Sequence, residues 1–139
     1  MKKELRKQVW NKYGKRCAYC GKLLAYKDMQ VDHYLSKAAG RKTFIEWLEA
    51  GTLNHIAFPA IEYWPEYLNS FENLKPSCRA CNYYKSTLSP NRFKERLSNL
   101  TRKLLKIFIV RLAASYGIVK IEPFDGAFYF EKYIEEREQ

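Results

Sequence analysis

The chain has 139 residues, 47% of them apolar and 16% aromatic, which excludes a disordered basic tail and suits a domain with a real core. Lys plus Arg number 25 against 15 Asp plus Glu, and a net charge of +10 points to polyanionic partners. Uncharged apolar runs such as 107–110 reach only four residues, against the roughly 20 of a membrane span, and no signal-peptide apolar segment follows the basic N-terminus. A soluble chain that is not exported is expected.

Residues 2–16 carry seven basic residues and one acid, with Leu5, Val9, Trp10 and Tyr13 at helical spacing before Gly14. This predicts a short basic helix. Cys17-Ala18-Tyr19-Cys20 then forms a knuckle, and residues 29–34 alternate as a strand does, putting Asp32 and His33 at a strand end with a loop over 36–40. From 44 to 74 there are five Glu and no Lys or Arg, with helical spacing at Phe44, Trp47 and Leu48. An acidic insertion of about 41–70 is expected there, acting as a lid or subdomain or receiving a partner protein.

A second knuckle, Cys78-Arg79-Ala80-Cys81, follows 57 residues after the first. Two C-x2-C pairs supply the four thiolates that structural Zn2+ prefers. Closing the intervening loop costs roughly 3.6 kcal/mol, whereas structural zinc supplies roughly 10–16 kcal/mol. Two disulfides fit a chain without a secretion signal poorly, and nothing around either pair resembles the βαβ setting of a redox dithiol.

Residues 79–111 hold nine basic residues and one acid. Ser89 as N-cap, Pro90 as first helical residue and a stripe of Phe93, Leu97, Leu100, Leu104, Phe108 and Leu112 predict one long helix with a cationic outer face. Beyond Gly117, residues 118–121 and 127–133 read as a hairpin around Pro123-Phe124-Asp125-Gly126, the whole C-terminal helix and hairpin covering about 90–134. Trp10, Trp47, Trp64, Tyr83 and Tyr84 are expected to pack, and His55 to be structural. The zinc deaminase signature is absent, since Leu35 and Ala57 stand two residues beyond the histidines.

Four blocks remain: CAYCG at 17–21, VDH at 31–33, ENL at 72–74 and CRACNYYKS at 78–86. In that order they resemble the HNH endonuclease family, the four-cysteine phage and bacterial type. The resemblance covers about 5–93 and implies an α+β fold: one small zinc-stabilised ββα-metal (His-Me finger) domain over 1–139 with flanking N-terminal and C-terminal helices. The 39 residues between His33 and Asn73 exceed the short loop of simple members, and the family's usual proline soon after the histidine is absent.

The resemblance also implies roles. His33 would be the general base, Asp32 and Asn82 would hold a catalytic Mg2+ or Mn2+, and Asn73 would tie the loop that orients the histidine. Lys85, one turn beyond Asn82, would reach a phosphate. Strand alternation sends Asp32 and His33 to opposite faces unless the strand bends, so sharing one site demands local distortion. The activity implied is metal-dependent DNA cleavage, with duplex DNA as partner, in the cytoplasm of a bacterium or a phage-infected cell. A zinc-dependent nucleic-acid-binding or packaging accessory protein, or an RNA-cleaving nuclease, fits the same composition.

Overall fold

Helix α1 (Lys3–Asn11) is the expected basic helix, with Val9 fully buried on its inner side. The chain turns away through Gly14 and Lys15 at positive φ, 63° and 61°. The first knuckle is closed by the Cys17 N–H on Lys22 O (2.8 Å) and the Gly21 N–H on Cys17 O (2.9 Å). Gly21 has φ 76°, and a Cβ there would lie 2.8 Å from the Tyr129 ring, so both backbone and space demand glycine.

A 3₁₀ turn (Tyr26–Asp28) leads into β1 (Gln30–His33). Helix α2 (Trp64–Leu68) precedes β2 (Leu74–Ser77), and α3 (Arg79–Lys85) follows it. The strands pair antiparallel, Gln30 with Ser77 and His33 with Leu74, and α3 packs beside β1. Pro76 has no N–H for the ladder, and its carbonyl instead accepts from Ala18 N–H at 2.8 Å. The computed structural model describes residues 1–38, Glu46 and 64–139, and over these the fold is mixed α+β with a two-stranded sheet. Phe44, Trp47, Leu48, His55 and most of the acidic insertion lie outside the described residues.

The predicted C-terminal hairpin is not formed: residues 118–127 contain no strand and Tyr129–Glu138 is a helix, α7. Tertiary partners decide this. The Tyr129 and Phe130 N–H groups, orphans of the first helical turn, donate to the first knuckle at Tyr19 O (3.0 Å) and Ala18 O (2.8 Å). Glu131 reaches back to accept from Phe128 N–H at 2.6 Å. Phe128 and Phe130 are buried, their rings packed on Tyr19 (5.0 Å) and Tyr34 (5.3 Å) respectively. The alternation that reads as a strand is an extended N-cap residue running into a helix.

The chain divides into two compact units, Met1–Pro90 with Phe128–Gln139, and Asn91–Ala127, where the sequence reads as one domain. The second unit departs from the predicted single helix. From Pro90, the last residue before it, the chain forms α4 (Pro90–Ser98), α5 (Leu100–Leu105) and α6 (Phe108–Ser115). Ser98 Oγ and Asn99 Nδ2 bond back to the carbonyls of Lys94 (2.9 Å) and Glu95 (3.1 Å), offering the backbone an alternative to continued helix. Ile107 is extended (φ −89°, ψ 116°), which breaks the helix outright. The predicted stripe is lost with it: Phe93 is buried, while Phe108 is 67% exposed.

Candidate metal centre and active site

The two knuckles bring the Sγ atoms of Cys17, Cys20, Cys78 and Cys81 within 4.8 Å of one another. Tetrahedral zinc with bonds of about 2.3 Å sets sulfur–sulfur edges of about 3.8 Å. Cys20 and Cys78 are 3.9 Å apart, so the donor set fits the ion. The second knuckle doubles as a helix start: Cys78 is the N-cap of α3 and its sulfur accepts from Cys81 N–H at 3.4 Å. Hydrogen bonds from the Cys20 and Cys81 thiols pull the Cys17 thiol well below its usual value. Bonding to Cys17 in turn pushes Cys20 up to about 11, and Cys81 upward too. Four thiols this close resist joint ionisation, and a divalent cation relieves that conflict.

Asp32 and His33 leave β1 in different directions. Asp32 turns into the protein, where its Oδ2 meets the Tyr19 hydroxyl and the Lys85 ammonium (3.1 Å). Burial pushes its carboxyl up, with Lys85 and then Tyr19 opposing. Both contacts use Oδ2. Among the described residues no buried side-chain oxygen lacks a partner, so the unpartnered Oδ1 reaches the surface. His33 instead has its Nε2 3.2 Å from Asn69 Oδ1. That amide oxygen suits an Nε2–H donor, the tautomer in which Nδ1 keeps its lone pair.

Lys85 does not face solvent as a phosphate contact must. It is fully buried, and its ammonium donates to His33 O at 2.9 Å as well as pairing with Asp32. It therefore clamps the end of β1. Asn73 is also fully buried: its Nδ2 donates to Leu35 O (3.0 Å) and Leu68 O (2.9 Å), and its Oδ1 accepts from Leu35 N–H (2.8 Å). These bonds tie the chain just after His33 to the end of α2. Asn82 lies half-buried on α3, its side chain making no hydrogen bond among the described residues. No hydrogen bond or ion pair joins the side chains of Asp32, His33 and Asn82 to one another among the described residues. Tyr83, expected to pack, is 84% exposed on the same helix.

Two lysines are a feature that the sequence did not reveal. Lys75 Nζ is buried among the Tyr13, Tyr34 and Phe130 rings, 4.6 to 5.5 Å from their centres, and donates to Tyr13 Oη (3.0 Å) and Glu72 O (2.9 Å). Burial first, and Lys12 second, hold it well below the usual lysine range. Lys12 donates to the carbonyls of Phe71, Glu72 and Leu74, and burial lowers it to about 8. Tyr19 and Asn69 were likewise missed. Tyr19 carried a signal, its place inside the first knuckle, whereas Asn69 meets His33 across 36 positions with none.

The four cysteines are the sole group of three or more His, Cys, Asp or Glu side chains gathered to hold an ion among the described residues. No described helix is long and apolar enough to cross a membrane. No family model, curated protein or solved structure matches the chain.

Proposed function

We propose that this chain is a metal-dependent DNA endonuclease of the HNH type, stapled by a structural zinc ion. One observation carries the reading. The end of β1 carries His33, with Nδ1 unengaged, and Asp32, with Oδ1 alone unengaged; Lys85 bonds both residues, and Asn73 bonds Leu35 just beyond them. Asp32 and Asn82 offer hard oxygen donors, the kind that Mg2+ or Mn2+ takes. Bound there, the cation would offset charge developing on the phosphate and the leaving oxygen.

The protein's own part is proton transfer and positioning. His33 Nδ1 removes a proton from water as its oxygen attacks phosphorus, and the bond from phosphorus to the 3′ oxygen breaks, leaving a 5′ phosphate and a 3′ oxygen that takes a proton from solvent to become the hydroxyl end. Asn69 holds the imidazole tautomer that leaves Nδ1 basic. Lys85 and Asn73 act as positioning residues, Lys85 holding the His33 carbonyl and Asn73 the backbone of Leu35 two residues on.

The test is conversion of supercoiled plasmid by wild type and His33→Ala with Mg2+, Mn2+ or neither, each protein first shown to bind one zinc. Metal-dependent nicking by wild type alone is expected. If both proteins shift DNA without cutting it, the second reading, a zinc-dependent nucleic-acid-binding module, replaces the nuclease. The engagement of Asp32 Oδ2 by Lys85 and Tyr19 favours that alternative. An RNA substrate is tested by repeating the assay on a structured RNA.

A further inference from the structure

A cavity of about 500 Å³ opens between α1 and the 3₁₀ turn, lined by Lys3, Glu4, Lys7, Trp10 and Tyr26. Its volume falls in the range of small-ligand sites. Lys3, Lys7 and Trp10 stand at i, i+4 and i+7 on one helix face. The Trp10 and Tyr26 rings meet edge to face, with centroids 5.5 Å apart and planes at 73°, and so form a right-angled aromatic corner. The corner is rigidly built. Trp10 Nε1 donates to Leu24 O at 2.8 Å, and the Arg6 guanidinium lies 5.2 Å from the Tyr26 ring centre while bonding Met29 O at 2.6 Å.

The rim is different, because Lys3, Glu4 and Lys7 are exposed and make no ion pair or side-chain hydrogen bond among the described residues. Two uncommitted cations, one uncommitted carboxylate and an aromatic corner match the parts of a nucleotide. Phosphates would meet Lys3 and Lys7, the base would stack in the corner, and Glu4 would accept from an exocyclic amino group. A base inside a duplex has no free face, so the ligand must be an unstacked one.

We propose that this cavity is a subsite for an unstacked base of single-stranded nucleic acid. The inference builds on the nucleic-acid reading above but not on cleavage. Met29, which Arg6 ties to this cavity, adjoins the start of β1, and His33 is its last residue. Four strand residues span about 13 Å, which sets Met29 and His33 that far apart along β1.

The experiment is a fluorescence-anisotropy titration of a labelled ten-nucleotide single-stranded DNA and a blunt duplex of equal length, without Mg2+ or Mn2+. The proteins are zinc-loaded wild type, Tyr26→Ala and Lys3→Gln/Lys7→Gln. Tyr26→Ala is expected to weaken single-strand binding about 5-fold to 150-fold while leaving duplex binding within 2-fold. The double lysine variant should flatten the single-strand salt slope by about 1.4. Both lysines are exposed, so this variant tests the subsite even if Tyr26→Ala does not fold. Unchanged single-strand affinity and salt slope in the folded variants overturn the subsite, as does equal weakening of duplex and single strand by Tyr26→Ala. Plasmid nicking by the same variants keeps the two readings apart. Nicking with no change in strand binding removes the subsite alone, and strand binding through Tyr26 without nicking by wild type removes the nuclease alone.

Discussion

The two units of this chain are built on opposite terms. The unit of Met1–Pro90 and Phe128–Gln139 joins distant segments through four cysteines, a buried Lys85–Asp32 pair and a fully buried Asn73. The unit of Asn91–Ala127 is a run of short helices, with Phe93 buried and Ile107, Phe108 and Ile109 exposed. The first must assemble as a whole or not at all, since each buried polar group needs a partner from elsewhere in the sequence. The second draws its helices mainly from neighbours in sequence and has little buried apolar area to add.

Zinc removal should separate them most sharply. Structural zinc contributes roughly 10–16 kcal/mol, as much as the whole roughly 5–15 kcal/mol of a domain's usual stability. Chelation, or Cys81→Ser, is therefore expected to abolish near-ultraviolet dichroism from the aromatic core while part of the helical signal of 91–127 persists. Complete loss of helix on chelation would show that the units are not independent.

Lys85→Met comes next. It leaves Asp32 buried without its cation, and a cost of about 3–5 kcal/mol is expected in urea denaturation. Asp32→Asn/Lys85→Met, which removes both charges, should recover part of that loss. The proposed nuclease makes a separate demand, because the double variant keeps His33 but loses the carboxylate, so cleavage should fall more than stability.

A smaller effect is expected from pH. Lys12 titrates near 8 in the folded protein against 10.5 as an ordinary lysine, chiefly through burial, with Glu72 opposing. The unfolded chain then binds the proton more tightly, so the Lys12 contribution to stability rises as pH climbs from about 8 to 10.5 and is lowest below 8. Lys12→Met should lose that rise relative to wild type, measured by urea midpoints on zinc-loaded protein. An identical slope in both proteins would show that Lys12 is not desolvated by its site.

The smallest change belongs to the exposed face of the second unit. Phe108→Ser is expected to shift stability by less than about 0.5 kcal/mol, whereas Phe93→Ala should cost about 3–5 kcal/mol. Amide hydrogen exchange across 91–127 reads both. A large effect at Phe108 would mean that its face is covered in solution.

Short-range chemistry was legible in the sequence. The two C-x2-C knuckles, the basic N-terminal helix and the strand ending at His33 each rest on residues a few positions apart, and each forms where expected. Tertiary structure decided the rest. Residues 127–133 alternate like a strand, yet α7 forms because the knuckle carbonyls of Ala18 and Tyr19 accept its first N–H groups. Lys85 has the spacing of a phosphate contact, yet it is buried because Asp32 and the His33 carbonyl stand opposite it across 52 or more positions. Local propensity and spacing can be read along a chain. The partner of a buried polar group depends on which distant segments close around it, and here that closure runs through the cysteines.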